Sequence, residues 1–281
     1  MQILKDSKEF QQLCLEWRAQ GQPLALVPTM GAHHAGHQSL MLAAKAAGAR
    51  VLVSLFVNPA QFGPGEDMAA YPRNPERDAH IARDAGADVL FMPEPQHMYT
   101  ADHATWVEAP ALARTLCGIA RPEHFRGVCT VVLKLLLISQ ANLAFSGEKD
   151  WQQLAIIRRM ARDLNVPVEI RGCPTVREAD GLALSSRNAY LTPDERAQAP
   201  QLQAGLQQAR ELALRGERSA SALCAAVREH WNRYLPLGRE EYLSLVHPHS
   251  LAEVETTGKA ALMACAVRLG KARLIDNILL P

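Results

Sequence analysis

Leu24-Ala25-Leu26-Val27-Pro28-Thr29-Met30-Gly31 runs through Ala32 and His33 into His34-Ala35-Gly36-His37, and then into Gln38-Ser39-Leu40-Met41-Leu42-Ala43-Ala44. The first four residues form a short apolar run, which predicts a buried strand, and Pro28 to Gly31 is turn material. From Gly36 to Ala47, Leu40, Ala43, Ala44 and Ala47 recur at helical spacing, and Gly48 can close that helix. A buried strand, a polar turn and a helix are the opening of a parallel α/β sheet. Working outward, Val51–Val57 reads as a second strand, Pro75–Ala85 as a helix and Asp88–Met92 as a third strand. Strands alternating with helices predict a Rossmann-like parallel sheet with helices on both faces.

Gly127–Gln140 reads as a helix because of its length, Leu143–Phe145 as a short strand, Asp150–Leu164 as an amphipathic helix and Val166–Gly172 as a strand. Pro174–Thr192 is polar and has no clear period. After Pro193 the texture changes. Asp194–Leu214 and Ser219–Leu235 read as helices, and Tyr242–Val246, Ala261–Val267 and Arg273–Leu279 as strands. These predict a smaller α+β domain with an antiparallel sheet. The division falls between Val176 and Asn188, giving expected domains of 1–180 and 181–281.

The chain has 281 residues, enough for two cores, and 48% hydrophobic against 21% charged residues is ordinary for a globular protein. A net charge of +1 and the lack of a dense Lys/Arg run argue against nucleic acid as partner. Met1 to Asp6 lacks the apolar stretch of a secretory signal, and the longest apolar run, Val128–Ile138, is interrupted by Lys134. The expectation is a cytoplasmic protein with no membrane partner. Six scattered cysteines without a C-x-x-C pair read as small buried hydrophobes.

Four polar constellations stand out. His34 and His37 lie between the first strand and its helix, at the carboxyl edge of the sheet where ligands bind. A helix N-terminus there offers unpaired N–H groups to an anion, and Gly36 lets a phosphate come close to the backbone. A metal is the rival ligand, but no acidic or cysteine side chain accompanies the pair in this turn. Ser146-Gly147-Glu148-Lys149-Asp150 also follows a strand and opens a helix. Lys149 suits a phosphate, and Asp150 a helix cap or ribose hydroxyls. Leu184-Ser185-Ser186-Arg187-Asn188 carries two hydroxyls and a guanidinium, the makings of a phosphate clamp. Asn58 and Gln61, with Gln153, are neutral amides suited to orienting a polar substrate without a large desolvation cost.

Together these segments resemble the pantothenate synthetase (pantoate–β-alanine ligase) family of nucleotidyltransferases with an His-x-Gly-His turn. The similarity is carried by Pro28-Thr29-Met30-Gly31, His34-Ala35-Gly36-His37, Phe56 to Phe62, Tyr71-Pro72-Arg73, His124 to Val128, Gly147 to Gln153 and Arg177 to Asn188, and it runs on to Asp276-Asn277. The resemblance implies ATP-dependent condensation of pantoate with β-alanine through a pantoyl adenylate, in a cytoplasmic homodimer whose smaller domain covers the site. It implies that Met30, Gly31, His34, Gly36 and His37 line the ATP site, with His34 and His37 on the phosphates. Gly147, Glu148, Lys149 and Asp150 would hold the nucleotide, Val176 would touch adenine, and Leu184, Ser185, Ser186 and Arg187 would complete the clamp. Gln61, Gln153 and Asn58 would bind pantoate, with Gln61 also placing β-alanine. Mg²⁺ would ride mainly on the ATP phosphates, with Asp78 as a candidate protein ligand.

His33, Ala35 and Ser146 depart from the family's usual leucine, acid and aromatic residue. A different adenylyltransferase acting on a phosphate acceptor is disfavoured by the neutral amide set. A regulatory protein that lost turnover is disfavoured by the retained His34, His37, Lys149, Ser185, Ser186 and Arg187.

Overall fold

The computed structural model describes every residue of the chain except Lys259. The chain opens with β1 (Gln2–Leu4) and α1 (Ser7–Ala19), whose first turn is capped by the Asp6 carboxylate accepting from the N–H groups of Lys8 and Glu9. Neither stands out in the sequence: β1 is three residues long, and α1 buries only Phe10 and Cys14. Next come β2 (Leu24–Thr29), α2 (Ala35–Ala46), β3 (Arg50–Leu55), α3 (Pro75–Asp84) and β4 (Val89–Phe91), close to their expected bounds. Three short helices, α4 (Pro95–Met98), α5 (Pro110–Ala113) and α6 (Cys117–Ala120), lead to α7 (His124–Ser139), β5 (Leu143–Gly147), α8 (Trp151–Asp163) and β6 (Glu169–Cys173).

The six strands form one parallel sheet in the order β1-β4-β3-β2-β5-β6. From β2 the chain builds β3 and β4 to one side, then crosses to build β5 and β6 on the other. The order therefore reverses between β2 and β5, which pair with Ala25 opposite Leu143 and Leu26 opposite Ala144. A crevice opens at such a switch point, beyond the carboxyl ends of the two strands. The strands alternate as the two-residue period demands. Leu24, Leu26 and Leu52 share a core with Phe10, Phe125 and Ile156 from α1, α7 and α8. Ala25, Val27, Val51 and Val53 share another with Leu40, Met41, Ala79 and Ala82 from α2 and α3. Burial on both faces explains why β2 begins as an uninterrupted apolar run.

The second unit holds α9 (Pro193–Gln198), α10 (Gln201–Leu214) and α11 (Ala220–Tyr234) over an antiparallel sheet of β7 (Gly238–Val246), β8 (Ala261–Leu269) and β9 (Ala272–Leu280). The single helix expected over Asp194–Leu214 is two, because Pro200 has no N–H for the Arg196 carbonyl and the ladder must restart beyond it. Ala261, Met263, Cys265 and Val267 of β8 pack with Leu202, Leu206, Leu223 and Val227 from the helices. The opposite face of the same strand, Leu262 and Ala264, joins Val246 and Leu251 in the core of the parallel sheet. Six cysteines are buried and unpaired. Among the described residues no helix is long and apolar enough to cross a membrane.

The polar stretch 174–192 is not featureless. Leu184 N–H donates to Val176 O, and Glu178 N–H to Leu182 O, so residues 176–184 form a hairpin turning at Gly181. Ser185 then caps a 3₁₀ turn, Ser186–Tyr190.

Candidate active site

The β2–α2 turn is built from behind. Gly31 has φ +84°, and a Cβ there would stand 2.9 Å from Asp78 Oδ2. Ala32 follows with φ +49°, so two successive N–H groups point back at α3. Asp78 takes both: Ala32 N–H at 2.9 Å and His33 N–H at 2.6 Å. The carboxylate is 1% exposed. Asp78, expected as a cation ligand, has an oxygen on each of these backbone groups and does not line the crevice. His33 is fully buried, with Nδ1–H on Asp78 O at 3.1 Å and Nε2 beside the Thr29 hydroxyl at 2.8 Å. It is a packing and anchoring residue. Among the described residues no group of three or more His, Cys, Asp or Glu side chains is arranged to hold a metal.

His34 caps α2: its Nδ1 accepts from Gly36 N–H at 3.1 Å. In the neutral ring this leaves the proton on Nε2, which makes Nε2–H a donor. Burial first, then the Lys149 ammonium, push this imidazole down to about 4. His37 lies against it, ring centres 4.2 Å apart. Burial and then the neighbouring His34 hold His37 well below the usual imidazole range, and its Nδ1 is buried without a partner among the described residues. At neutral pH both rings are uncharged hydrogen-bonding groups. The positive charge of the site comes from Lys149 and the guanidinium groups.

Across the switch point, β5 ends in Gly147 and a 3₁₀ turn, Glu148–Asp150, that opens α8. Lys149 Nζ lies 3.8 Å from Asp150 Oδ1. The Ser185–Arg187 turn faces them from the hairpin side. Arg187 makes two bonds of 3.0 Å to Asp67, and Ser186 Oγ is 3.4 Å from Tyr71 Oη. Loop 62–73 thus ties across to the turn after the hairpin. Burial would raise the Asp67 carboxyl pKa, but the bonds and charge of Arg187 outweigh it and hold the carboxyl below its ordinary value.

The third wall is neutral. The Asn58 side-chain amide donates to Gln61 Oε1 and to Gly127 O, each at 3.1 Å. Gln61 in turn donates to Met30 Sδ. The Gln61 carboxamide is therefore held in one orientation. Its backbone carbonyl accepts from His124 Nδ1 at 2.9 Å and from Arg121 Nη2 at 3.3 Å. Arg121 also donates to His124 Nε2, at 3.2 Å. A ring that accepts from a guanidinium on one nitrogen and donates to a carbonyl on the other must be neutral, and burial, followed by Arg121, pushes His124 down to about 4. Gly127 is required for this wall, because a Cβ would lie 2.2 Å from Ala60 O.

These three walls enclose a cavity of about 230 Å³ that contains Met30, His34, Gly36, His37, Asn58, Gln61, Gly147, Lys149, Asp150, Gln153, Val176, Leu184, Ser185, Ser186 and Arg187 in its lining. Gly31, Asp78 and Glu148, expected at the site, stand behind the wall. The Glu148 side chain lies against β6, 3.0 Å from where a Cβ on Gly172 would be. A wider cavity of about 540 Å³ adjoins, sharing Lys149, Asp150, Gln153 and Arg187 and reaching the antiparallel sheet. Tyr71, Arg121 and His124 line the crevice without having been assigned a role from sequence. Tyr71 and His124 sit in segments that carried the family resemblance, whereas Arg121 gives no signal of its own.

The family profile described as Pantoate-beta-alanine ligase matches residues 2–279. The chain belongs to that family. It is 62% identical over its whole length to a pantothenate synthetase of Desulfovibrio desulfuricans and 60% to one of Nitratidesulfovibrio vulgaris, with 99% of each relative covered. The crystal structure of pantothenate synthetase from Thermus thermophilus superposes with a TM-score of 0.92 at 43% identity, covering 99% of both chains. The pantoate–beta-alanine ligase of Francisella tularensis, complexed with beta-gamma ATP and beta-alanine, superposes at 0.79 with 33% identity over 99% of this chain and 97% of that one. Membership makes the chain an enzyme, a ligase of pantothenate formation, with the fold expected from sequence.

Proposed function

We propose that the enzyme condenses pantoate with β-alanine at the expense of ATP, through a pantoyl adenylate, at the β2/β5 crevice. The observation that carries this is the shared cavity of the His34/His37 turn, Lys149, the Ser185–Arg187 turn and the oriented amides. The first three suit polyphosphate. The amides suit the hydroxyl groups of a polar substrate, which agrees with pantoate beside the nucleotide.

A carboxylate does not condense with an amine unaided, because oxide is a poor leaving group. A pantoate carboxylate oxygen attacks the α-phosphorus, an O–P bond forms, and pyrophosphate leaves with the electrons of the broken bond. The β-alanine amine then attacks the acyl carbon, the C–O bond to phosphate breaks, AMP leaves with the electrons of that bond, and a proton of the new amide nitrogen passes to solvent. Neutral His34 donates Nε2–H to phosphate oxygen, and Lys149 and Arg187 offset the charge that develops. Placement supplies the rest: effective concentration in such a site is worth roughly 7–11 kcal/mol in favourable cases. Arg187 exchanges Asp67 for phosphate in this reading. Val176 and Leu184 border the base, and Asp150 the ribose.

Mg²⁺ does not fit a protein cage here, because Asp78 is committed to backbone and no other acidic cluster is available among the described residues. It belongs to the substrate, as MgATP. The same reading includes a cytoplasmic homodimer, for which sedimentation is the direct measurement.

Pantoate-dependent exchange of labelled pyrophosphate into ATP, without β-alanine, tests the adenylate. Folded protein that shows no exchange, or that releases ADP instead of AMP, sinks it. Lys149→Ala should suppress exchange severely while leaving thermal unfolding in place.

A further inference from the structure

We propose that Asn277, on the last strand of the antiparallel sheet, is a positioning residue for Lys149. Its amide uses both hydrogens on consecutive carbonyls of the lysine's own turn: Glu148 O at 2.9 Å and Lys149 O at 3.0 Å. Among the described residues, no side-chain cap holds either end of that turn, at Gly147 or at Asp150. The clamp therefore comes from a distant part of the chain, 128 residues beyond Lys149.

Asn277 is itself held on a rigid base. It sits mid-strand, paired with Ala264, and its N–H donates to Asp276 Oδ1 at 2.8 Å. Asp276 is 2% exposed and takes both terminal nitrogens of Arg177, at 2.6 and 2.8 Å. Arg177 lies on the hairpin that leads to Ser185–Arg187 and also donates to Gly181 O at 3.1 Å. One dipeptide thereby fixes the Lys149 turn through Asn277 and the base of the opposing turn through Asp276. The lysine backbone is located by the second unit of the fold, although its side chain serves the first. An amide is needed for this: aspartate would set an anion against two carbonyl oxygens, and alanine leaves both without this partner.

The inference rests on Lys149 acting on the phosphates. Asn277→Ala should lower the rate of pyrophosphate exchange by roughly 10- to 100-fold, the scale of an ångström's misplacement of a reacting group, with KM for pantoate unchanged. In a Lys149→Ala background the same change should cost less than about twofold, since residues acting through one group are not additive. Binding of a non-hydrolysable ATP analogue, measured by calorimetry, should show the same non-additivity without requiring turnover. Asn277→Asp keeps the shape and should be at least as impaired as Asn277→Ala, which supplies a second variant should alanine fail to fold. Equal losses in both backgrounds would mean a general structural role and overturn the inference, as would full exchange activity in folded Asn277→Ala. If Lys149→Ala alone leaves exchange intact, the role given to Lys149 has failed first.

Discussion

Replacing Gly127 by alanine would put a Cβ 2.2 Å from Ala60 O, 2.4 Å from Ala60 C and 2.6 Å from Gln61 N. All three are backbone atoms, so no rotamer change relieves the clash. Reaching an ordinary contact of 3.4 Å from 2.2 Å requires a separation of 1.2 Å between α7 and the 3₁₀ turn Pro59–Gln61. Overpacking of this kind costs about 1–3 kcal/mol. Alanine's better helix propensity returns roughly 1 kcal/mol, so the net loss of stability is small, from nothing to about 2 kcal/mol. Function should suffer more. The same turn carries Asn58 and Gln61, and Asn58 is tied to the Gly127 carbonyl itself at 3.1 Å. A shift of about an ångström in a substrate-positioning group can cost up to roughly 100-fold in rate. The expected result is a Tm lowered by no more than several degrees, with KM for pantoate raised and exchange slowed by one to two orders of magnitude, as an estimate from the same scale. Calorimetry and the pyrophosphate-exchange assay read the two effects separately. A folded Gly127→Ala enzyme with unchanged KM for pantoate would refute the link between this contact and the amide wall.

Gly31→Ala meets both a positive φ and Asp78 Oδ2 at 2.9 Å, and should destabilise by about 1–3 kcal/mol in denaturant titration. Arg177→Ala leaves the buried Asp276 carboxylate without its two guanidinium bonds, and should cost about 3–5 kcal/mol, readable as a lower unfolding midpoint. His34 and His124 have folded-state pKa values near 4, below the ordinary 6.5, so the unfolded chain binds more protons between those limits. Stability should be complete at pH 7 and fall as pH drops from about 6.5 toward 4. His124→Gln should flatten part of that slope in a pH series of thermal melts; an unchanged slope would argue against a neutral, guanidinium-bonded His124.

The parallel sheet was legible because its strands are buried on both faces and its helices alternate with them. Leu24–Val27 announces itself for that reason. The order of the strands was not legible, and it is the order that turns the carboxyl edge into a crevice between β2 and β5. Elements such as α1, which buries only Phe10 and Cys14, and the short 176–184 hairpin left weak traces because part of their order comes from caps and cross-chain bonds. Side-chain direction is the other blind spot. Gln152 and Gln153 are adjacent and alike, yet Gln152 is buried with bonds to Leu112 O, Thr115 O and Cys117 N, while Gln153 lines the crevice. Asp78 entered the sequence reading only through the resemblance, as a candidate Mg²⁺ ligand. Only the fold places it against Ala32 and His33, where it sets the shape of the turn.

The β8 strand is a party wall, and this limits how the enzyme can open. Swinging the second unit away as a rigid body would strip Val246, Leu251 and Leu262 from a core they share with the parallel sheet. At about 1.5–3 kcal/mol each, exposing these three would cost on the order of 5–9 kcal/mol, comparable to the whole stability of many domains. The straps between loop 62–73 and the Ser186–Tyr190 turn are polar contacts instead of shared core: the Asp67–Arg187 pair at 3.0 Å, a Tyr71–Ser186 contact of 3.4 Å and the Tyr190 hydroxyl on Ala70 O at 3.2 Å. Opening of the crevice should therefore fall on loop 62–73 and its partner turn, a gate hung on a fixed frame.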